Sequence, residues 1–270
     1  MDLDGTLLNS NSELPAENVT AMREAASRGI DIVIVTGRRF NSARLIVDQL
    51  PFDAQLIGSN GAVIKSKSGE TLYRRLLPVD VARQVLNATQ EYRAYTGVIF
   101  DRPDDRQVIF ERIDWDGPFI GPYLRRHRHQ VAEIAPLTEC LDGEDPVEVL
   151  FIGECAVLRR LLGTLETLPI ASDFKLALTE YEHRNVSMMD VLERGVSKGA
   201  ALAEWAARQG ISRDEVMAIG DNWNDREMLE YAGLPVVMDN SVAELKSLGW
   251  AVTESNDECG VARAIRKYVL

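Results

Sequence analysis

Short apolar runs rich in β-branched residues, separated by amphipathic helical patterns, constrain this chain more than any other feature. The runs fall at residues 30–35 (IDIVIV), 55–57, 147–152 (VEVLFI), 216–219 (VMAI) and 235–238. Helical spacing covers 15–28, where Val19, Met22 and Ala26 share a face between Pro15 and Gly29, and recurs over 38–50 and 200–208. Strands buried on both faces and alternating with helices predict a Rossmann-like, doubly wound parallel α/β sheet. In such a sheet, ligand sites lie beyond the carboxyl ends of the strands.

The middle of the chain breaks this rhythm, with a KSKSGE turn at 65–70 and charged or aromatic stretches at 101–105 (DRPDD) and 115–118 (WDGP). A 270-residue chain is long for one core. The expected organisation is a core of 1–80 and 185–270 with an inserted α/β cap domain over 81–184. A formal charge of -12 excludes nucleic acid and anionic membrane surfaces as partners. Cys140, Cys155 and Cys259 are odd in number and lack CxxC spacing, which excludes a disulfide framework and points to a reducing, cytoplasmic setting. No leader-like opening and no apolar run near the roughly 20 residues of a membrane helix accompany them.

Four segments follow the apolar runs or open helices with apt chemistry. Asp2-Leu3-Asp4-Gly5-Thr6 sets two carboxylates two residues apart, then a glycine that permits a sharp turn and a hydroxyl that can tie it. Thr36-Gly37-Arg38 offers a hydroxyl and a close-approach N–H at a helix start. Ser197-Lys198-Gly199 supplies a fixed cation, and Gly220-Asp221-Asn222-Trp223-Asn224-Asp225 adds the oxygen ligands magnesium prefers. Singly, each has a structural reading: Thr36 as a helix cap, Lys198 as a solvated residue, Asp221 and Asp225 as a helix-start charge pair. Together and in order, DLDGT, TGR, GVSKG and GDNWND resemble the four motifs of haloacid dehalogenase hydrolases. Ser59-Asn60-Gly61-Ala62, Met238-Asp239-Asn240-Ser241 and an insert between the second and third motifs are similar to the Cof-type phosphatases with a large α/β cap. Asp239 departs from that group's usual glycine and leaves the turn and Asn240 without an assigned role.

The resemblance implies Asp2 as nucleophile and magnesium ligand, and Asp4 as general acid/base that also ligates magnesium through its carbonyl. Asp221 completes the ligands with Asp225 beside them, while Thr36, Gly37, Lys198, Asn224 and Asn60 belong to the phosphoryl-binding set. Four carboxylates, one magnesium ion and Lys198 leave one excess negative charge, which a shared proton cancels; Asp4 is its expected holder. The implied activity is hydrolysis of a small phosphorylated metabolite through an aspartyl-phosphate, with sugar phosphates first, then nucleotides and phosphorylated cofactors. The alternatives are a phosphomutase or phosphotransferase using the same intermediate, and a non-catalytic phosphometabolite-binding module.

Weaker features carry blander expectations. Arg125-Arg126-His127-Arg128-His129 reads as a solvated helix face, His183 as a surface hydrogen-bonding residue, the cysteines as small buried hydrophobes, and Trp223 as either the mouth of the site or core packing. The family's nucleophile ends a central strand, yet only Met1 precedes Asp2. A truncated first core strand is therefore expected, with an apolar segment upstream in the natural protein.

Overall fold

The computed structural model describes residues 1–103, 106–117, 121–182 and 185–270, except the side chains of 122, 123 and 126. The chain divides into two compact units, Met1–Arg74 with Val196–Leu270, and Arg75–Gly195.

The first unit begins with α1 (Ala16–Ser27), β1 (Val33–Val35), α2 (Phe40–Val47), β2 (Gln55–Gly58), β3 (Val63–Lys65) and β4 (Thr71–Arg74). β1 and β2 are parallel, and β3 and β4 extend the sheet as an antiparallel hairpin across the 66–70 turn. The second unit holds α3 (Val79–Ala88), β5 (Thr96–Ile99), β6 (Val108–Phe110), α4 (Gly121–Arg126), β7 (Val131–Glu133), β8 (Glu148–Gly153), α5 (Cys155–Glu166), β9 (Phe174–Tyr181) and β10 (Val186–Glu193). These strands form one sheet in the order β7-β6-β5-β8-β10-β9. Every neighbouring pair is antiparallel except β6 and β7. The unit is wider than the 81–184 span expected from sequence. β10 pairs over its length with β8 and β9, so it completes this sheet instead of reopening the core.

The chain then re-enters the first unit through α6 (Lys198–Gln209), β11 (Met217–Gly220), α7 (Arg226–Tyr231), β12 (Leu234–Val237), α8 (Ala243–Lys246), β13 (Ala251–Val252) and α9 (Gly260–Tyr268). β11, β12 and β13 are parallel. Alternate strand residues enter opposite cores. Ile34, Ile219 and Val236 pack with Met22, Val47 and Ile265 from α1, α2 and α9. Val33, Val35, Ala218 and Val237 pack with Leu202, Met228 and Leu245 from α6, α7 and α8. Helices on both faces of parallel strands are the doubly wound arrangement expected from the sequence.

The first two residues pair with β1 and β11. The Met1 amino group donates to the Val33 carbonyl at 2.9 Å, the Val35 N–H to the Met1 carbonyl at 2.8 Å, and the Asp2 N–H to the Ile219 carbonyl at 2.9 Å. Met1 and Asp2 thus bridge β1 and β11 and deliver the Asp2 side chain at the carboxyl ends of both. Thr36 follows β1, Ser59 and Asn60 follow β2, and Asp221 follows β11, so these segments share that edge. Among the described residues, no helix is long and apolar enough to cross a membrane.

Candidate active site

The Leu3–Leu7 turn carries the first two carboxylates out of the sheet. Leu3 and Leu7 are fully buried, each stabilising the turn by roughly 1.5–3 kcal/mol relative to exposure. The Leu8 N–H closes the turn on the Leu3 carbonyl at 2.9 Å. Gly5 sits at φ +77°, in the left-handed region, and a Cβ there would lie 2.4 Å from Asp221 Oδ2. Only glycine lets the first motif approach the fourth so closely. The Thr6 hydroxyl fastens the contact by donating to Asp221 Oδ1 at 2.6 Å.

Lys198 is the hub of the buried charges. Ser197 caps α6 by accepting from the Ala200 N–H at 3.0 Å, which sets Lys198 at the first turn. Its Nζ, 1% exposed, donates to Asp2 Oδ1 at 2.8 Å and to Asp225 Oδ1 at 2.7 Å. Asp225 Oδ2 accepts from the N–H groups of Asp221 and Asn222 at 3.0 and 3.1 Å, locking the fourth motif.

Burial, followed by the Asp225 charge, pushes the Asp2 carboxyl up to about 7 against the pull of Lys198. Asp221 is raised well above the ordinary carboxylate range by burial and then by Asp2 and Asp225. Burial pulls Lys198 down, but the two carboxylates outweigh it and hold the ammonium above its ordinary value. The crowding expected to place a proton on Asp4 is thus felt at Asp2 and Asp221. Asp4 instead faces Arg38, whose Nε and Nη2 donate to its two carboxylate oxygens at 2.7 and 2.5 Å. The contact is a two-point, charge-assisted pair that fixes the direction of the Asp4 carboxylate.

Ligand atoms of Asp2, Asp221 and Asp225 lie within 4.8 Å of one another, and all three residues are buried. Three buried hard carboxylates beside one buried ammonium leave an excess of acceptor oxygens. The donor set fits an oxygen-seeking divalent cation such as magnesium.

The second and fourth motifs meet at Asn60. Its Oδ1 accepts from Asn224 Nδ2 at 3.0 Å, its N–H donates to the Thr36 carbonyl at 3.0 Å, and a Cβ on Gly37 would lie 3.1 Å from its side chain. Asn60 is 2% exposed, which suits a residue that holds Thr36, Gly37 and Asn224 in register. Thr36 is also buried, and its hydroxyl accepts from the Arg38 N–H at 3.1 Å.

Residues 1–265 match the haloacid dehalogenase-like hydrolases. The chain belongs to this family. As a haloacid dehalogenase-like hydrolase it is a phosphatase. It is 29% identical to the phosphatase YwpJ of Bacillus subtilis over 98% of this chain and 97% of that one. It is also 29% identical to the 5-amino-6-(5-phospho-D-ribitylamino)uracil phosphatase YcsE of B. subtilis, over 100% of this chain and 94% of that one. A haloacid dehalogenase-like hydrolase structure from B. subtilis superposes with a TM-score of 0.83 at 27% identity, covering 100% of this chain and 98% of that one. A Thermotoga maritima structure, at 24% identity and a TM-score of 0.80 over 100% and 96%, has the same fold.

Within this hydrolase Asp2, Asp4, Thr36, Asn60, Lys198, Asp221, Asn224 and Asp225 stand in one unit. Arg38 was not singled out from the sequence as a site residue, although its place in the TGR motif, two residues after Thr36, was the available signal. Asp239 needs no glycine: its backbone is not left-handed, and the Lys246 ammonium donates to its carbonyl at 2.7 Å. Trp223 does not enter the core; it is 44% exposed with the Arg226 guanidinium 5.5 Å from its ring centre. The basic cluster is tied to its own unit, Arg125 donating to the Trp115 carbonyl, Arg128 lying 5.1 Å from the Trp115 ring centre, and His127 buried. The Arg126 side chain and His183 lie outside the described residues. Cys140 and Cys155 are buried hydrophobes as expected, while Cys259 is half-buried.

Proposed function

We propose that this phosphatase is magnesium-dependent and hydrolyses small phosphorylated metabolites, sugar and polyol phosphates first, through an aspartyl-phosphate on Asp2. The observation that carries the reading is the buried Asp2 carboxylate held at Oδ1 by Lys198 at 2.8 Å, which leaves Oδ2 for attack on phosphorus. Asp2 and Asp221 would hold the metal, with the Asp4 carbonyl on the same turn and Asp225 beside them. Magnesium, when bound, neutralises charge on the phosphoryl oxygens.

In the first step Asp2 forms the new P–O bond in line as the bond to the leaving oxygen breaks, and Asp4 supplies that oxygen with a proton. In the second step water attacks the aspartyl-phosphate, Asp4 takes the water's proton, and inorganic phosphate departs from Asp2. For the first step, Asp4 must turn from Arg38 toward the leaving oxygen and carry a proton. Thr36, Gly37 and Asn224, braced by Asn60, hold the transferred group while Lys198 faces its charge.

The substrate class takes support from relatives named for a phosphoribitylamino-uracil, a polyol phosphate carrying a base. The test is phosphate release from a panel of sugar, polyol and nucleoside phosphates, with magnesium and with a chelator. Release that survives complete chelation, or that prefers nucleoside phosphates over the polyol and sugar compounds, overturns the corresponding part of the reading.

A further inference from the structure

The segment after β12 is unassigned by the phosphatase chemistry, yet it grips the site at two points. The Ser241 hydroxyl donates to the Asp221 carbonyl at 2.8 Å, and Asn240 Nδ2 donates to the Gly5 carbonyl at 2.8 Å. The other end of the Asn240 amide is also engaged, its Oδ1 accepting from the Asn256 N–H at 2.9 Å. Asn256, buried, passes the connection on by donating from Nδ2 to the Leu8 carbonyl at 2.9 Å. Asn18 does the same at the Leu7 carbonyl, 3.1 Å, and its Oδ1 accepts from the Ala262 N–H at 3.0 Å. Three asparagines from distant segments thus take two carbonyls of the turn that carries Asp4 and Thr6 and the carbonyl of Leu8 directly after it. A sharp turn with a left-handed glycine cannot satisfy its carbonyls by regular helix bonding, and a side-chain amide provides a donor fixed at its other end.

We infer that Asn240 is a positioning residue for the reaction. It fixes the Gly5 peptide, and through it sets Asp4 and Thr6 against Asp221, whose own backbone is held by the neighbouring Ser241. Asn18 and Asn256 are buried and anchor the end of the turn to the core, so their loss acts first on folding. Asn240 is exposed, and water replaces its bonds with little effect on stability but without their fixed direction. The kinetic part of this inference rests on the proposed chemistry at Asp2; the structural part does not.

The experiment compares the full-length protein with Asn240→Ala and Asn240→Asp. The aspartate keeps an acceptor for the Asn256 N–H but has no N–H for the Gly5 carbonyl. Hydrogen exchange of peptides spanning Leu3 to Leu8 is expected to speed up in both variants while the rest of the unit is unchanged, and the melting temperature moves by about 2 °C or less. Turnover is expected to fall about 10–100-fold with KM nearly constant, more steeply on an alkyl phosphate than on p-nitrophenyl phosphate, because a misplaced Asp4 matters most for a poor leaving group. Unchanged exchange in the turn overturns the inference whatever the activity. So does an equal loss on both substrates accompanied by a general drop in stability. An active Asp2→Asn control removes the nucleophile assignment and leaves the exchange result standing on its own.

Discussion

Replacing Lys198 by methionine keeps the length of the side chain and removes the ammonium that lies 2.8 Å from Asp2 and 2.7 Å from Asp225. Asp2, Asp221 and Asp225, at 5%, 9% and 0% exposure, are then left without their buried cation. Breaking a buried pair from one side costs about 3–5 kcal/mol, equivalent to roughly 6–20 °C for a unit of this size. The loss has a pH signature. A carboxyl raised in the folded state contributes stability while it keeps its proton and loses that contribution as pH rises through the folded value. Asp2 is already raised to about 7 with Lys198 present, and removing the lysine raises it further. The deficit of Lys198→Met is therefore smaller at about pH 5, where the folded protein already protonates Asp2 and the Asp225 pair alone is broken, than at about pH 8, and it grows as pH rises past about 7. Thermal melts at both values with a chelator measure it, and added magnesium should recover part of it by restoring positive charge. Turnover should fall about 10²–10³-fold even where the variant is folded. A deficit equal at the two pH values, or a variant more stable than the parent near pH 8, refutes the placement of Lys198 as the cation that balances these carboxylates.

Asp2→Asn should abolish phosphate release yet melt at or above the parent temperature at about pH 8, since a neutral amide relieves the repulsion from Asp225; measurable turnover at the parental rate rejects Asp2 as nucleophile. Asp4→Asn should lose far more activity on alkyl phosphates than on p-nitrophenyl phosphate, so steady-state kinetics that give the same loss on both count against Asp4 as the acid. Magnesium binding needs Asp2 and Asp221 ionised, so it releases protons and its thermal stabilisation should grow as pH rises from about 5 to about 8; a pH-independent magnesium shift contradicts the raised carboxyls as ligands. Gly5→Ala should cost more than the strain of a left-handed alanine, because its Cβ would meet Asp221 Oδ2 at 2.4 Å, and calorimetric titration should show weakened magnesium binding.

The parts of this molecule that could be read from sequence are those in which a local pattern and a chemical group coincide. Val33–Val35 and Met217–Gly220 are recognisable as buried strands, so Thr36 and Asp221, one residue beyond them, inherit a place at the sheet edge. Lys198 is placed by the helical pattern over 200–208 that its segment opens. In the second unit the run at 147–152 is recognisable as strand Glu148–Gly153, but strands as short as Val108–Phe110 and Val131–Glu133 acquire their identity from partners and not from their own alternation. For the same reason Val186–Glu193 was assigned to the core, when its backbone partners are Glu148–Gly153 and Phe174–Tyr181.

The contacts that organise the Leu3–Leu7 turn were hidden for a different physical reason. Arg38 reaches Asp4 across 34 residues, and Asn240 reaches the Gly5 carbonyl across 235. Neither side chain has a periodicity to betray it, since a surface arginine and a loop asparagine are common everywhere. What determines both partners is the shape of the Leu3–Leu7 turn. Gly5 must be left-handed to bring Thr6 onto Asp221, that conformation turns the Gly5 carbonyl out of any regular ladder, and a buried or half-buried carbonyl requires a donor. The need arises in the first motif while the donor stands near the end of the chain. A sequence reading finds such a pair only by asking, for each turn that a motif imposes, which carbonyls it orphans and which polar residues remain without work. Asn240, whose place beside Asp239 had no assigned role, was the residue left over from that question.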